Sequence, residues 1–196
     1  MNIMILDTSS PNLYVSFVSD GKEVFQKIIR TVNNHSEVFL DTIKLGLDSL
    51  GLKVGDFSKI IVGIGPGSYT GLRVSLTVAK TFAWTKNIDL YTIPSLYVLG
   101  SGYFSNDGNY AILNVAKKNH YYYQLLEVKG GKVRAVIPAG FKSFEEYSDM
   151  MKNYPDFKEI KLEDYKYSGE NICELDILHH VEDVHSLIPD YLRKDI

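Results

Sequence analysis

The chain has 196 residues, of which 45% are hydrophobic and 23% are charged, and its net charge is −3. This composition is typical of a globular protein with one sizeable core or two small ones, and it excludes a disordered chain and a protein that holds nucleic acid by its own positive charge. A single cysteine, Cys173, excludes an internal disulfide framework, and without a signal peptide or a long apolar run the sequence predicts a cytoplasmic protein.

The chain begins with three predicted strands. Residues 2–7 form an apolar run typical of a buried strand, and residues 13–19 and 22–30 follow with a more alternating character. Asp20 and Gly21 separate the last two runs and are a strong hairpin signal. The first thirty residues therefore predict an antiparallel sheet of consecutive strands.

Helices and strands then alternate. Helical spacing of apolar residues covers residues 34–50 and 72–84, with a β-branched strand at 59–64 between them and another strand at 89–93. A short helix is expected to begin at Ser95. Three antiparallel strands followed by helix, strand, helix and strand predict a mixed α/β unit of ribonuclease-H-like type over about the first hundred residues.

The second half starts the same pattern again, since residues 5–14 align without gaps on residues 112–121 and each segment then leads through a second predicted strand to a glycine turn. Duplication is favoured over coincidence on this strand order. We therefore predict a first domain over residues 1–105 and a smaller, incomplete second domain over residues 106–196.

A glycine-rich turn follows the strand at 59–64 and opens the next helix. Gly65, Gly67 and Gly71 allow close backbone approach, and Ser68 or Thr70 is positioned to cap the helix. Free N–H groups and the helix dipole suit an anion, but tight packing of the helix on the sheet explains the glycines equally well. Neither the P-loop nor the dinucleotide fingerprint matches. The candidate turn or anion residues are Asp7, Gly65, Gly67, Ser68, Thr70, Gly71 and Arg73.

Catalytic groups are hard to find in this sequence. Asp7 ends the first strand, but the aligned position of the second half is Asn114, so two opposed carboxylates for Mg²⁺ are missing. Asp7 is expected instead to hold a turn by accepting N–H groups of Ser9 or Ser10. The histidines show no metal-binding spacing, and Cys173 has no neighbouring base. We predict no catalytic residue and no metal ligand in this chain.

Five short motifs are spread along nearly the whole chain. They are Ile5-Leu6-Asp7-Thr8-Ser9, His35-Ser36-Glu37, the glycine turn from Gly63 to Arg73, Ala79-Lys80, and Pro189-x-Tyr191-Leu192-Arg193. Together they resemble the bacterial TsaB (YeaZ) family, whose domains belong to the actin/hexokinase-like ATPase superfold. The chain departs from that pattern at Asn114-Val115-Ala116, where the family has an Asp-Ala-Arg run, and in its shorter tail.

The resemblance implies a non-catalytic subunit in threonylcarbamoyladenosine modification of tRNA. It implies a heterodimer with a TsaD-type transferase, a TsaE-type ATPase as a further partner, a homodimer when the chain is alone, tRNA contact only through the complex, and ATP with Mg²⁺ in the partner complex rather than here. A small ATP-binding enzyme of the same superfold is the alternative; a peptidase has no support in these residues.

The two long helices carry more apolar surface than one sheet contact covers, which predicts an exposed patch. The resemblance implies that they form a helical bundle with the matching helices of TsaD. Spacings of three and four residues align the expected contacts in stripes, although either stripe could face the sheet. The candidates are Val38, Thr42, Leu45, Val74, Val78 and Thr81.

Overall fold

A computed structural model describes residues 1–30, 35–117 and 119–192. The strands in these ranges are β1 (Asn2–Asp7), β2 (Asn12–Ser19), β3 (Lys22–Arg30), β4 (Lys59–Gly63), β5 (Asp89–Ile93), β6 (Gly108–Ala116), β7 (His120–Lys129), β8 (Lys132–Ser143), β9 (Lys158–Ile160) and β10 (His179–His180). The helices are α1 (His35–Leu50), α2 (Tyr69–Lys86), α3 (Ser95–Gly100), α4 (Phe144–Met151) and α5 (Gly169–Cys173). Short 3₁₀ turns occur at Val54–Asp56, Ser101–Tyr103 and Leu162–Asp164.

The first sheet has six strands in the order β10-β5-β4-β1-β2-β3. Strands β1, β2 and β3 are antiparallel neighbours, whereas β4 and β5 run parallel to β1. The β2–β3 hairpin turns at Asp20 and Gly21, which both have positive φ, as the sequence predicts. This order and these directions confirm the ribonuclease-H-like unit.

The second sheet repeats the beginning of the first. Its order is β8-β7-β6-β9, in which β6, β7 and β8 are antiparallel and β9 is parallel to β6. Helix α4 precedes β9 as α1 precedes β4, and it starts at Ser143 with a capping box to Glu146. The prediction of two ribonuclease-H-like units, of which the second is reduced, is confirmed.

The two sheets and their helices form layers with separate cores. The central strand β1 directs Met4 and Leu6 towards α1 and α2, and Ile3 and Ile5 towards the space between the sheets. Helices α3 and α5 share that inner layer, and α4 covers the outer face of the second sheet. Because both faces of β1 are covered, its end at Asp7 is buried as well.

The tail of the chain returns to the first unit. Strand β10 pairs with the free edge of β5, and farther on the N–H of Asp190 donates to the Ile64 carbonyl at 2.8 Å. Lys80 of α2 donates to the carbonyls of His185 and Leu187 at 3.0 and 2.8 Å. The predicted boundary at 105/106 assigns this segment to the second domain. In the structure the segment packs on the first unit instead, because it pairs with the edge of β5 and accepts hydrogen bonds from Lys80. None of the helices in the described ranges is long and apolar enough to cross a membrane.

Candidate functional site

The glycine turn joins the end of β4 to the start of α2. Ser68 is the N-cap of this helix, since its Oγ accepts the N–H of Gly71 at 3.2 Å and its carbonyl accepts the N–H of Leu72 at 2.9 Å. Of the two predicted caps, Ser68 therefore fills the role, and Thr70 lies exposed within the first helical turn.

Two glycines of this turn lie directly on the loop that follows β1. A Cβ at Gly67 would lie 2.2 Å from the carbonyl oxygen of Ser9, and a Cβ at Gly71 would lie 1.9 Å from that of Thr8. Hydrogen bonds join the same segments, because Ser68 N–H donates to Ser9 O at 2.7 Å and Thr8 Oγ1 donates to Gly71 O at 2.5 Å. Close packing of backbone on backbone therefore accounts for Gly67 and Gly71.

Gly65 is needed for its backbone conformation. Its φ is +114°, a region that side-chain-bearing residues rarely adopt, and a Cβ there would lie 2.6 Å from the carbonyl oxygen of Asp190. Ser95 fixes the same residue twice, by accepting Gly65 N–H on its Oγ at 3.0 Å and donating its own N–H to Gly65 O at 2.8 Å. The turn is therefore held between the loop after β1, the start of α3 and the tail.

Asp7 is buried and holds the loop after β1. Its Oδ1 accepts the N–H of Ser9 at 2.9 Å and the Ser9 hydroxyl at 2.7 Å. Its Oδ2 faces Gly63, where a Cβ would lie 1.8 Å away. Burial raises the pKa of Asp7 above its ordinary value, while hydrogen bonding by the Ser95 and Ser9 side chains and the Ser9 backbone lowers it. The predicted turn-holding role at Ser9 is confirmed.

Asn114 is the counterpart of Asp7 in the second unit, and both meet at Ser9. Asn114 is buried, and its Nδ2 donates to the Ser9 carbonyl at 3.2 Å, the same oxygen that accepts the N–H of Ser68. A carboxylate in place of this amide would face a carbonyl oxygen with no proton to share. The amide of Asn114 therefore links the two units at a point where a carboxylate would repel the Ser9 carbonyl oxygen.

Magnesium is the metal that the superfold implies for such a site, and the donor set here does not fit it. The Oδ1 atom of Asp7 accepts hydrogen bonds from Ser9, and its Oδ2 atom lies against the backbone of Gly63. Asn114 directs its amide N–H₂, which cannot bind a metal, towards the Ser9 carbonyl. The described residues also contain no cluster of three His, Cys, Asp or Glu side chains that could hold a metal ion.

A cleft of about 720 Å³ opens between the two units beside this junction. Its walls are the loop after β1, the glycine turn, the end of β6 and the tail, which supply residues 9–11, 66–70, 114–117 and 190–192. Arg30 also lines it and forms an ion pair with Glu163 at 3.0 Å. The predicted turn residues are thus divided: Gly67, Ser68 and Thr70 line the cleft, whereas Asp7, Gly65, Gly71 and Arg73 do not.

A second cavity, of about 460 Å³, is a groove between α1 and α2 on the side away from the sheet. Leu40 from α1 and Val74 and Val78 from α2 form its apolar walls, with Tyr69 and Arg73 at the start of α2. Leu40 is 48% exposed. This groove is part of the apolar surface that the two helices leave uncovered.

The predicted partner residues of α2 lie near this groove. Val74 and Val78 line it, and Thr81 is exposed one turn farther along the helix. Tyr69 and Arg73, in the first helical turns, also line the groove but are not among the predicted partner residues. Arg73 is instead one of the predicted residues of the glycine turn.

On α1 the predicted stripe divides around the helix. Thr42 is buried, and its hydroxyl donates to the Val38 carbonyl at 2.6 Å, so this side chain is interior and the prediction that it meets a partner is corrected. Val38 is half-buried against the core. Leu45 is 52% exposed but does not line the groove. Leu40, five positions earlier and therefore about 140° around the helix, is the leucine that does.

Three side chains form a stack at the start of α2. The Arg73 Nε donates to the Tyr191 hydroxyl at 3.1 Å, and the Arg73 guanidinium carbon lies 4.0 Å from the centre of the Tyr69 ring. The two tyrosine rings are 5.0 Å apart. Tyr191 comes from the tail and lines the cleft, so this stack joins the cleft to the groove. The last residue of the motif, Arg193, lies outside the described residues.

Comparisons with known proteins agree with the motif resemblance. A family model described as TsaD, tRNA N6-adenosine threonylcarbamoyltransferase, matches residues 29–188. The tRNA threonylcarbamoyladenosine biosynthesis protein TsaB of Bacillus subtilis strain 168 is 27% identical and aligns over 98% of this chain and 94% of its own length. The resemblance to the TsaB (YeaZ) family is therefore confirmed.

Solved structures show the same fold. A protein described as uncharacterized with similarity to the peptidase YeaZ from Pseudomonas aeruginosa superposes with a TM-score of 0.78 at 17% identity, over 98% of this chain and 99% of its own. YeaZ from Pseudomonas aeruginosa superposes with a TM-score of 0.64 at 20% identity, over 71% of this chain and 66% of its own. At these identities the likeness concerns the fold alone.

Proposed function

Because the chain belongs to the family described as TsaD, tRNA N6-adenosine threonylcarbamoyltransferase, and aligns with TsaB along nearly its whole length, we propose that it is a non-catalytic partner subunit. In this proposal it pairs with a TsaD-type transferase in threonylcarbamoyladenosine modification of tRNA. A TsaE-type ATPase joins the complex, tRNA meets this chain only through the complex, and ATP with Mg²⁺ binds in the partner complex.

The observation that carries the proposal is the apolar groove between α1 and α2. Exposed apolar surface on a small protein marks a partner site, and two neighbouring helices present a groove that the side chains of another helix fill. Leu40, Val74 and Val78 provide the apolar contact. Packing against a partner's helices would remove these side chains from water, which is the main source of stability in such an interface.

The junction at Ser9 supports a non-catalytic role. The single acid of the junction, Asp7, is buried and used by the loop after β1, and the amide of Asn114 completes the same junction. A phosphoryl-transfer site needs metal-bound oxygens that face its substrate. In this proposal the junction holds the two units together and takes no part in catalysis.

The test is association with a TsaD-type transferase, followed by size-exclusion chromatography with light scattering. Leu40→Asp should give a folded chain that no longer pairs, because a buried unpaired carboxylate opposes the interface. Leu45→Asp, on the same helix but outside the groove, is the matched control and should still pair. Loss of pairing in the Leu45 variant alone would move the interface to the other flank of α1, and a wild type that never pairs would refute the proposal.

The same groove is proposed to join two copies when the chain is alone. A groove that accepts a partner's helix pair also fits an identical helix pair related by a two-fold axis. Dilution of the pure chain should then shift its mass from dimer to monomer, and Leu40→Asp should be a monomer at every concentration. A wild type that stays monomeric at high concentration would contradict this part.

A small ATP-binding enzyme is the second candidate, and the cleft of about 720 Å³ is the observation that favours it, since its size suits a nucleotide. We expect no appreciable ATP turnover by the chain alone, because the donor set around Asp7 does not fit Mg²⁺. Steady hydrolysis by the pure protein that disappears in Asp7→Ala would favour this second candidate.

A further inference from the structure

After β10 the tail crosses the first unit on a small number of contacts. Val181 still bonds to the sheet, since its N–H donates to the Leu90 carbonyl of β5 at 2.9 Å. None of residues 182–192 is buried, and only half-buried side chains such as Val184 and Leu187 pack on the core formed by α2 and the first sheet. We call residues 182–192 the strap.

The middle of the strap is fastened by Lys80 of α2. This ammonium group donates to the carbonyls of His185 at 3.0 Å and Leu187 at 2.8 Å. The strap forms its own turn there, because Asp183 accepts the N–H of His185 on Oδ1 at 2.9 Å and the hydroxyl of Ser186 on its carbonyl at 3.0 Å. One cation therefore binds two carbonyls that a local turn presents together, and hydrogen bonds from a charged donor are the stronger kind.

The far end of the strap rests on the glycine turn. The N–H of Asp190 donates to the Ile64 carbonyl at 2.8 Å, and the Asp190 carbonyl oxygen would lie 2.6 Å from a Cβ at Gly65. The Tyr191 ring lies 5.0 Å from the Tyr69 ring of α2. Two motifs that are far apart in the sequence thus meet in the structure, and the glycine turn forms a seat for the end of the strap.

The seated strap forms part of the cleft between the two units. Asp190, Tyr191 and Leu192 line this cleft together with residues 66–70 of the glycine turn and residues 114–117 of the second unit. The strap is the one part of these walls that is fastened to the first unit from outside its sheet and helices. If it leaves its seat, the cleft opens to solvent at this end.

The strap has the properties of a segment that opens locally. Local opening requires little free energy where few apolar groups are buried and where backbone hydrogen bonds lie near the surface. The strap meets both conditions, whereas α2 beneath it buries six residues. The strap can therefore leave while α2 and the sheet stay folded.

We propose that the strap detaches as one unit from the folded protein, with β10 as its pivot, and that Lys80 sets how often the cleft is open at that end. This role is separate from the pairing proposed above, because no strap residue is among those that line the groove. The strap is thus a gate for the cleft, whichever small molecule or chain segment enters there.

Hydrogen exchange measured by mass spectrometry on the whole chain tests this proposal. In the wild type, amides of the strap should exchange faster than those of β1 and β4 under conditions in which the protein remains folded. Lys80→Met removes both hydrogen bonds and keeps most of the aliphatic stem, so it should speed exchange in the strap by about tenfold or more. Exchange at residues 67–70 should rise with it, and exchange in β1 and β4 should not change. Lys86→Met is the matched control, because Lys86 is exposed in the last turn of the same helix.

Trp84 provides a second readout of the strap. It is the single tryptophan of the chain, and its ring lies edge-on to that of His185 with the ring centres 5.3 Å apart. Because an imidazole in contact quenches indole fluorescence, Lys80→Met should increase the emission of Trp84, and Lys86→Met should leave it unchanged. Circular dichroism verifies that both variants are folded.

Three results would overturn the proposal. The first is a Lys80→Met protein with wild-type exchange in the strap and wild-type emission of Trp84, since Lys80 would then not fasten the strap. The second is an equal acceleration in the strap and in β1, which would mean that the strap opens only when the whole protein unfolds. The third concerns the seat: Gly65→Ala should speed exchange at residues 189–192 because its Cβ displaces the Asp190 carbonyl, and a folded variant without this change would contradict it.

Discussion

Replacement of Gly71 by alanine sets two effects of opposite sign against each other. Gly71 lies in the first turn of α2, and in a helix alanine is favoured over glycine by about 1 kcal/mol. Helix propensity alone therefore predicts a more stable protein. The close approach of Thr8 to this position predicts the reverse.

The size of the second effect follows from the contact distances. A Cβ at Gly71 would lie 1.9 Å from the Thr8 carbonyl oxygen, whereas ordinary contact begins at 3.4 Å, so the two segments must separate by about 1.5 Å. That movement breaks the bond from Thr8 Oγ1 to Gly71 O and strains the one from Ser68 N to Ser9 O. Overpacking at about 1–3 kcal/mol and hydrogen bonds at about 1 kcal/mol each exceed the propensity gain. We expect a net destabilisation of about 2–4 kcal/mol.

Urea unfolding followed by far-UV circular dichroism measures this change. Thr85→Ala is the control on the same helix, because Thr85 is exposed and its change should stay within about 0.5 kcal/mol. A Gly71→Ala protein as stable as the wild type would show that the loop after β1 yields without cost, and the packing explanation of the glycine turn would be wrong.

Three further predictions concern single groups. Burial raises the pKa of Asp7 above 3.8, so its contribution to the free energy of unfolding is full below that pH and declines as the pH rises through the folded-state pKa. The free energy of unfolding of Asp7→Asn, measured in urea, should therefore increase relative to that of the wild type as the pH rises from about 4 to 7. A difference between the two proteins that stays constant with pH would contradict this. Ser68→Ala should cost about 1 kcal/mol for the lost N-cap, and millimolar phosphate should leave both melting temperatures unchanged if the turn only packs; a phosphate-induced rise that the variant loses would support an anion site. Burial raises the pKa of Cys173 to about 11 from 9.0, so its thiolate fraction is about a hundredfold lower and iodoacetamide should react slowly at pH 8; a rate equal to that of a free thiol would refute this.

The sequence was sufficient for elements whose signals are local. The strands with apolar β-branched runs and the Asp20-Gly21 hairpin form where the sequence predicts them. Asp7 was assigned correctly because its turn-holding partner, Ser9, lies two residues away. Such features depend on backbone propensity and on contacts between near neighbours in the chain.

Long-range packing was beyond the reach of the sequence patterns. The tail after residue 155 carries charged and aromatic residues without periodicity, yet it adds β9 to the second sheet and β10 to the first. Tyr191 reaches Arg73 across 118 positions, and no spacing rule links them. On α1 the apolar residues suit both the sheet and the groove, so periodicity alone did not separate buried Thr42 from exposed Leu40.

Helix α2 connects the glycine turn to the groove, because it starts at the turn and forms one wall of the groove. Its first turn packs on the loop after β1 through Gly71, its inner face covers the sheet, and Lys80 holds the tail along its side. These contacts hold α2 against the sheet, and the half-buried Val74 and Val78 pack partly on the core while they line the groove. A partner that binds such a surface loses less conformational entropy than one that must first order it. In the proposed function, Gly67 and Gly71 therefore act indirectly, because they fix the start of α2 on the loop after β1.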